Sequence, residues 1–475
     1  MKGISMKTVL ISPPTKHMLK TTLPKYIEEE RGAYPPLGLM YLASYLKERG
    51  EDITVLDGQF LDYSQIESAL RRIKPDIVGI QALSFTLIDA LYVARIVRKI
   101  DKRIIIVFGG RHPTLFPQET VNLPEVDIVV QGEGEIPFHG LVKNIHNKDA
   151  LKKVKGLVFM DGKQIINTGF ATIPELDTLP FPDIDSLLLK KYKCLISKKG
   201  GFMTMITSRG CPFNCTFCDE KHSVFRSRSA KNVVDEIETY VASGIKNIFF
   251  YDATFSINKT RAIAICDEII TRNIKVNIEL RTRVDLVDDD ILKKLKQAGC
   301  IRIQYGIESG SDHILKNLNK HTTVEKITAV VQKTEKYGFE ILADFMIGCP
   351  GEKKEDIERT IAFACALPID YAHFTILTPY PATELYHEGL KRGIIKTDYW
   401  RRFAEHPQED FEPKIWEEHF KREELTELLN TAYKRFYTRP TYIAKQFLKM
   451  RSFHELKKKT KAGLILLKHT SRQRM

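Results

Sequence analysis

The sequence lacks a long apolar run, and none of its hydrophobic stretches approaches the ~20 residues needed to cross a bilayer. Its first residues, M-K-G-I-S-M-K-T-V-L-I-S-P-P, lack the apolar core and small-residue cleavage site of a signal peptide. With 43% hydrophobic and 28% charged residues, the chain is neither disordered nor collagen-like nor a coiled coil. We therefore expect a cytoplasmic globular protein, whose 475 residues correspond to about three domains.

Net charge is nearly absent from most of the chain. Residues 431–475 carry 13 Lys and Arg and one acid, Glu455, and the preceding residues share only +1 of the total charge of +13. A nearly neutral body argues against a broad nucleic-acid-binding face, so no nucleic-acid partner is expected. The final K-K-K-T-K-A-G-L-I-L-L-K-H indicates either a weak membrane-surface contact or a docked helix with a solvated basic edge.

Cysteine is absent from the first 193 residues, and three of the eight cysteines, Cys211, Cys215 and Cys218, fall within eight positions. A secreted disulfide scaffold would be shorter and would spread its cysteines differently, so metal binding in a reducing compartment is the better interpretation. Iron–sulfur cubes normally take four thiolates, and a set of three leaves one iron open to a non-protein ligand. The alternative, tetrahedral zinc, needs a fourth protein ligand and usually uses C-x2-C pairs.

Strand and helix patterns alternate through residues 1–150. Five strands are predicted, at Lys7–Ser12, Asp52–Asp57, Asp76–Ile80, Arg103–Phe108 and Asp127–Gln131. This alternation predicts an α/β fold with a doubly wound parallel sheet, in which ligands bind at the carboxyl ends of the strands. Residues 151–196 are predicted to form a hairpin around Asp161-Gly162 and then a Pro-rich linker.

A second series of strands and helices occupies residues 197–400. Its six predicted strands begin at Met203, Asn247, Lys275, Ile301, Ile341 and Tyr371. Six such repeats predict an incomplete (β/α)6 barrel. Residues 401–475 are predicted to form a helical, basic C-terminal region.

The loop after the first strand of this second series reads S-R-G-C-P-F-N-C-T-F-C-D. In this position, the motif resembles that of the radical S-adenosylmethionine (SAM) superfamily, and the resemblance covers roughly residues 202–383. It implies a [4Fe–4S] cluster on the three cysteines, with SAM bound to the open iron. It further implies cleavage of SAM to a 5′-deoxyadenosyl radical, with a reductant such as flavodoxin or ferredoxin as partner.

The same resemblance implies further contacts with SAM, and Phe217 matches the position that packs near adenine. The other implied contacts are Asp252, Glu279, Arg281, Glu308, Ser309 and Gly348. Ala253 stands where related sequences commonly have a second acid, so the alternative for Asp252 is a strand-end cap. For Glu279 and Arg281 the alternative is a solvated strand end with ion pairs.

The first 150 residues resemble the cobalamin-binding domain that precedes many radical SAM domains. The matching segments include I-S-P-P, Y-P-P-L-G-L, G-I-Q-A-L-S, V-F-G-G-R-H-P-T and V-Q-G-E-G-E. The resemblance implies cobalamin contacts at Ser84, Gly109, Gly110 and His112, and the glycine pair would let a bulky ligand approach the backbone. The first loop lacks the D-x-H-x-x-G motif that supplies a cobalt ligand, so His17 is expected not to bind cobalt. The alternative is a domain that no longer binds cobalamin.

Two classes of function remain open for this architecture. It is similar to that of class B radical SAM methyltransferases and of the anaerobic magnesium-protoporphyrin ester cyclase. The resemblance implies an enzyme that methylates an unactivated carbon of a small molecule, or else an oxidative cyclase or hydroxylase. A non-catalytic cobalamin or iron–sulfur sensor is the alternative from a different class. The sequence identifies neither the substrate nor a catalytic residue.

Overall fold

A computed structural model describes residues 6–23, 32–185, 191–192, 200–220 and 223–448. The chain divides into two compact units. The first consists of the residues up to Lys20, Ala33–Tyr192 and Thr397–Pro413, and the second contains Thr21–Gly32, Lys193–Lys396 and the residues from Lys414. The domain boundaries expected at residues 150, 196 and 400 stay predictions, because a division by contacts does not follow chain order.

The sheet of the first unit has seven strands in the order β2-β1-β3-β4-β5-β6-β7. Strands β1 to β5 are parallel, and the last two are antiparallel. Their bounds are β1 Lys7–Ser12, β2 Asp52–Asp57, β3 Ile77–Gln81, β4 Ile105–Gly109, β5 Ile128–Val130, β6 Leu157–Asp161 and β7 Gln164–Asn167. The helices are Leu37–Lys47, Tyr63–Ile73, Leu87–Ile100, Arg111–Leu115, Pro117–Val121, Glu135–Asn144, Lys148–Leu151 and Tyr399–Glu405.

The predicted doubly wound sheet is thus confirmed, and the hairpin predicted around Asp161-Gly162 is the β6–β7 pair. Val9, Leu10 and Ile11 of strand β1, which lies between β2 and β3, are all fully buried. A parallel strand covered on both faces is a continuous apolar run rather than an alternating one, which is why this short segment was recognisable.

The second unit is built on six parallel strands in the order β8-β11-β12-β13-β14-β15. Their bounds are β8 Gly201–Met205, β11 Ile245–Phe250, β12 Asn277–Thr282, β13 Cys300–Glu308, β14 Glu340–Ile347 and β15 Tyr371–Ile376, and β9 Ser208–Arg209 pairs separately with β10 Arg226–Ser227. The helices are Ala230–Ala242, Lys259–Thr271, Asp289–Gln297, Asp312–Asn317, Val324–Lys336, Lys354–Ala366, Glu384–Lys391, Arg422–Tyr437 and Pro440–Leu448. This is the half-barrel that the six repeats predicted.

The two faces of this second sheet differ in polarity. Ala343, Phe345 and Phe374 belong to the set of side chains on the outer face that are essentially fully buried. The inner face, formed by the alternate residues, carries polar and half-buried side chains such as Gln304 and Asp344. Because side chains alternate along a strand, the pattern separates a packed outer face from a polar, accessible inner face.

Helix Arg422–Tyr437 closes the edge of the second sheet at β15. The hydroxyl of Tyr433 donates to the carbonyl of Phe374 at 3.0 Å and accepts from its N–H at 3.2 Å. Tyr437, one turn later, does the same to Ala372 at 2.9 and 3.1 Å. Two side chains therefore satisfy backbone groups that an edge strand would otherwise leave open.

Within the described residues, no helix has both the length and the apolarity to span a bilayer. The basic tail, with its predicted membrane-surface contact, lies outside the described residues from position 449 onward.

Candidate functional site

The three clustered cysteines lie in a loop that follows β8 and is closed by the β9–β10 pair. The loop passes close to its own return strand at Gly210, whose φ is +86° and where an added Cβ would lie 2.2 Å from the carbonyl oxygen of Val224. Only glycine fits this position without displacing the backbone. The S-R-G-C motif therefore has a steric reason for its glycine.

The thiols of the loop are sheltered from water. Cys211 and Cys215 are buried, and Cys218 is partly buried. Burial raises the pKa of the Cys218 thiol to about 12 and also raises the pKa of Cys211. Each thiol would lose its proton on binding a metal.

Three thiols without a fourth protein ligand fit an iron–sulfur cube better than a single zinc ion. Among the described residues, no group of three or more His, Cys, Asp or Glu side chains is arranged to hold one metal ion. A cube binds each cysteine through a different iron, so its thiolates need not converge on one point.

Arg283 lies against the cysteine loop, a contact that the predicted site did not include. Its Nη1 is 3.5 Å from Sγ of Cys215, and its guanidinium is centred 4.1 Å from the ring centroid of Phe213. Its Nε donates to Asp285 at 2.9 Å. The guanidinium thus places an N–H donor and a positive charge beside this sulfur, where they would offset the negative charge of a thiolate that holds iron.

Phe217 and the Gly348 turn, both predicted near adenine, come close together. Phe217 packs against an apolar cluster that includes Met346 and Cys349, on either side of Gly348. The carboxylate of Glu352 holds the turn by accepting from the N–H of Cys349 at 2.9 Å. Burial raises the pKa of Glu352 to about 8.

Glu308 ends β13 in the left-handed region, with φ of +74°, which is uncommon for a residue other than glycine. Its carboxylate is buried and accepts from Nζ of Lys320 at 3.0 Å. The same ammonium group lies 5.9 Å from the ring centroid of Phe217. Glu308 and Phe217 therefore both lie beside Lys320. The sequence did not predict Lys320 as a residue of this site.

Ser309 is fully buried, and its Oγ is 3.1 Å from Oγ1 of Thr360. It also accepts from the N–H of Ser311 at 3.2 Å. These contacts join the end of β13 to helix Lys354–Ala366 and give Ser309 a structural task of its own.

Asp252 is buried behind the cysteine loop and joins β11 to the segment after β8. Its carboxylate accepts from the N–H of Thr207 at 2.7 Å and from Oγ of Ser208 at 2.7 Å. It thus caps the strand ends, which is the alternative that the sequence left open for this residue.

Glu279 and Arg281 share the inner face of β12 as expected, but they have different surroundings. The carboxylate of Glu279 accepts from Nη1 of Arg302 at 2.6 Å, and Arg302 also pairs with Glu340. Arg281 lies 5.3 Å from the ring centroid of Tyr251, and its Nε is a buried donor with no hydrogen-bond partner among the described residues. Arg281 therefore has hydrogen-bonding capacity that the described residues do not use.

In the first unit, the four residues predicted to contact cobalamin meet at the ends of β3 and β4. Nδ1 of His112 is 3.0 Å from Oγ of Ser84, and Nε2 of this fully buried ring has no hydrogen-bond partner among the described residues. Gly110 has φ of +110° and lies close to Ala82, so the fold itself requires glycine there. An added Cβ at Gly109 would meet only Val130, at 3.8 Å, which leaves room beside the strand end. The open space beside Gly109 and the unpaired Nε2 of His112 fit a bulky ligand such as cobalamin.

His17 follows β1 in the loop that supplies the cobalt ligand in other cobalamin domains. Its ring stacks on Tyr92 with 4.5 Å between centroids, and its Nδ1 is 3.4 Å from the carboxylate of Glu409. Its backbone N–H donates to the carboxylate of Asp89 at 2.9 Å. The stacking and the Glu409 contact engage one face and Nδ1 of the His17 ring within the first unit, and the absence of a cobalt ligand at His17 stays a prediction.

Two family models match the two parts of the chain that carry these sites. Residues 205–364 match the radical SAM superfamily, and residues 26–142 match the B12 binding domain. An uncharacterized methyltransferase of Pyrococcus horikoshii, PH0819, is 35% identical over 456 residues, which are 94% of this chain and 96% of the relative. This chain belongs to the radical SAM superfamily. It is an enzyme of that superfamily with a B12-binding domain, and its cofactors are a [4Fe–4S] cluster, SAM and cobalamin.

A further relative and a solved structure are also similar to this chain. The anaerobic magnesium-protoporphyrin IX monomethyl ester cyclase of Cereibacter sphaeroides is 32% identical over 388 residues, which are 78% of this chain and 63% of the cyclase. A solved structure of the cobalamin-dependent SAM radical enzyme OxsB, with aqua-cobalamin and SAM bound, has a TM-score of 0.74 at 20% identity and covers 98% of this chain and 72% of OxsB. At that identity the structural match supports the fold.

Proposed function

We propose that this radical SAM enzyme is a cobalamin-dependent methyltransferase that acts on a carbon of a small molecule. The observation that carries the proposal is the loop between β9 and β10, which presents three sheltered cysteines with Arg283 at the second. The methyltransferase of P. horikoshii, which matches this chain nearly end to end, supports the reaction class.

The residues divide into three groups by the cofactor that they would hold. Cys211, Cys215 and Cys218 would hold the cluster. Phe217 and the Gly348 turn would flank adenine, and Arg281 and Glu308 would face the methionine end of SAM. Bound together, the cofactors supply hydrogen abstraction from an unactivated carbon and delivery of a methyl group. In the first unit, Ser84, Gly109, Gly110 and His112 would contact cobalamin.

Three predicted SAM contacts already have protein partners. The carboxylates of Asp252 and Glu279 are engaged with Thr207 and Arg302, and Ser309 is engaged with Thr360. Their contact with SAM stays a prediction, and Glu279→Gln would separate the two roles of that carboxylate.

An oxidative cyclase or hydroxylase is the second candidate, favoured by the cyclase of C. sphaeroides. Both reactions would use the same cofactor sites. The products distinguish them, because only the methyltransferase leaves a methyl group of SAM in the product.

The proposal includes a small-molecule substrate and an external reductant, for which flavodoxin or ferredoxin is the predicted donor. A cytoplasmic location, where thiols stay reduced, agrees with the free cysteines of the loop.

Anaerobic reconstitution with iron, sulfide, SAM and cobalamin tests the proposal. Replacing all three loop cysteines by Ala should remove about four irons per chain and abolish formation of 5′-deoxyadenosine under strong reductant. Cys365→Ala, a change at a half-buried cysteine of helix Lys354–Ala366, is the matched control and should retain both. Retained iron in the triple variant, or no 5′-deoxyadenosine from the native enzyme, would contradict the assignment.

A further inference from the structure

A polar cluster on the inner face of the second sheet is used by none of the cofactor contacts above. It consists of Gln304 on β13, Asp344 on β14 and His373 on β15. The strand register places Asp344 directly opposite His373. Phe345 and Phe374, the next residues in sequence, are fully buried on the outer face, so the three polar side chains belong to the accessible inner face.

Asp344 joins the other two side chains through both of its carboxylate oxygens. Nε2 of Gln304 donates to one oxygen at 2.7 Å, and Nδ1 of His373 lies 3.3 Å from the other. The Asp344 side chain is 24% exposed and that of His373 is 39% exposed, so the imidazole is the more accessible end of the pair.

The charge on Asp344 determines which nitrogen of the His373 ring carries the proton. Burial raises the pKa of Asp344, but the hydrogen bond from His373, the positive charge of Arg281 and the Gln304 amide together hold it below its ordinary value. An ionised carboxylate only accepts hydrogen bonds, so Nδ1 carries the proton that it receives. In the neutral ring, Nε2 is then an acceptor.

The pair lies between a closed ionic layer and the cofactor end of the barrel. Toward the start of the strands, Arg302 pairs with Glu279 and Glu340. Toward their ends, Asp344 lies opposite Gly306, two residues before Glu308, a separation of about 6–7 Å along the strand. Burial raises the pKa of Glu308, and the negative charge of Asp344 raises it further.

We propose that His373, held by Asp344, is a substrate-recognition residue whose Nε2 accepts a hydrogen bond from a hydroxyl or ring N–H of the small-molecule substrate. Asp344 is a positioning residue because it acts through His373, and Gln304 holds the second oxygen of its carboxylate. The inference rests on the proposed methyl transfer and narrows its substrate to a molecule with such a donor. No proton needs to leave the substrate in this role.

Two substitutions of His373 separate recognition from a structural role. His373→Asn keeps a polar atom near the position of Nδ1, and hence the bond to Asp344, but has nothing at the position of Nε2. His373→Gln places a polar atom near Nε2 instead. Asp344→Asn allows the amide to donate to Nδ1, which would leave Nε2 protonated and unable to accept. His387→Gln, at an exposed residue of helix Glu384–Lys391, is the matched control.

The test uses the holoenzyme, SAM labelled with ¹³C in its methyl group, and the small-molecule fraction of cells that naturally make the protein. We expect His373→Asn and Asp344→Asn to lower the yield of labelled product about tenfold or more, as for loss of one hydrogen bond in the bound state. His373→Gln should retain most of the product. All variants should form 5′-deoxyadenosine at the native rate when the small-molecule fraction is omitted.

The outcomes are distinguishable by mass spectrometry. Native product yield in His373→Asn, or equal loss in the Asn and Gln variants, overturns the recognition role while methyl transfer stands. If the native enzyme labels no molecule in the fraction, the methyl-transfer proposal fails, and this inference falls with it.

Discussion

Glu279 and Arg302 form a buried ion pair between residues 23 positions apart in sequence. A single-sequence pattern places Glu279 on the inner face of its strand but gives no information about its partner. The acids of the site were therefore predictable as a group, while their individual tasks were not. The same holds for Glu308, whose partner Lys320 is on a different segment.

Glu279→Gln separates the two roles of this carboxylate. If its role is the ion pair, the free energy of unfolding of the variant should be about 2 kcal/mol lower than that of the native protein. The loss is limited because a charged hydrogen bond is weakened while Arg302 keeps its pairing with Glu340. Denaturant unfolding of the cofactor-free protein measures this loss, and the rate of SAM cleavage by the reconstituted variant should stay near that of the native enzyme. A large fall in SAM affinity at unchanged stability would assign Glu279 to the cofactor.

His112 makes the stability of the first unit depend on pH. Burial lowers its pKa to about 3, whereas the unfolded imidazole titrates near pH 6.5. As the pH falls from about 6.5 towards 3, the unfolded chain binds a proton that the folded ring does not. The free energy of unfolding therefore falls by up to about 1.4 kcal/mol per pH unit, and it does not depend on this ring above pH 6.5. His112→Asn, which does not titrate, should give a flatter dependence.

Trp400, fully buried in the first unit, reports on this unfolding. The chain has only two tryptophans, so Trp416→Phe leaves Trp400 as the single fluorescent indole. In this background, urea midpoints should fall with decreasing pH below about 6.5, and they should fall more steeply with His112 intact than in the His112→Asn variant. Parallel curves would show that the buried ring is not what titrates.

At the scale of elements, the sequence predicted nearly every strand of both sheets within two residues. Fully buried parallel strands are short apolar runs bounded by glycine and charged residues, as in R-I-I-I-V-F-G-G, and such runs need no knowledge of their partners. The Thr397–Pro413 segment was not predicted to join the first unit. Its position depends on aromatic contacts such as Trp400 with Phe85, at 6.3 Å between ring centroids, and no local pattern encodes such pairings.

The two edge-capping tyrosines of helix Arg422–Tyr437 give a prediction for this element. Tyr433→Phe removes the hydroxyl that serves both the N–H and the carbonyl of Phe374, and these backbone groups are buried. We expect a loss of about 2 kcal/mol in unfolding free energy and faster amide exchange at Phe374. Tyr45→Phe in the first unit is the control, and equal stability of the two variants would contradict the edge-capping role.

At the scale of the whole molecule, the cofactor sites were predictable because each motif is local in sequence. The cysteines lie within eight positions of one loop, and the glycine pair follows directly on one strand. The inner-face pair of Asp344 and His373 was not predicted, because it depends on the register of two strands that are almost 30 residues apart. The available signal in the sequence was a polar residue between two apolar ones in the segments L-A-D-F and Y-A-H-F.

The division into two units predicts that the two metal cofactors bind independently. Gly109→Val adds bulk where the strand end has room, so the first unit should fold but lose cobalamin by steric exclusion. The triple Cys→Ala variant should lose iron and retain cobalamin, and His17→Ala should leave both metals and the cobalt spectrum unchanged, since its ring is already engaged by Tyr92 and Glu409. Iron and cobalt analysis after anaerobic reconstitution measures all three variants, with the Tm of each cofactor-free protein as the control for folding. If Gly109→Val or the triple Cys→Ala variant loses both metals at a native Tm, the two sites depend on each other. A changed cobalt spectrum in His17→Ala would assign that ring to the metal.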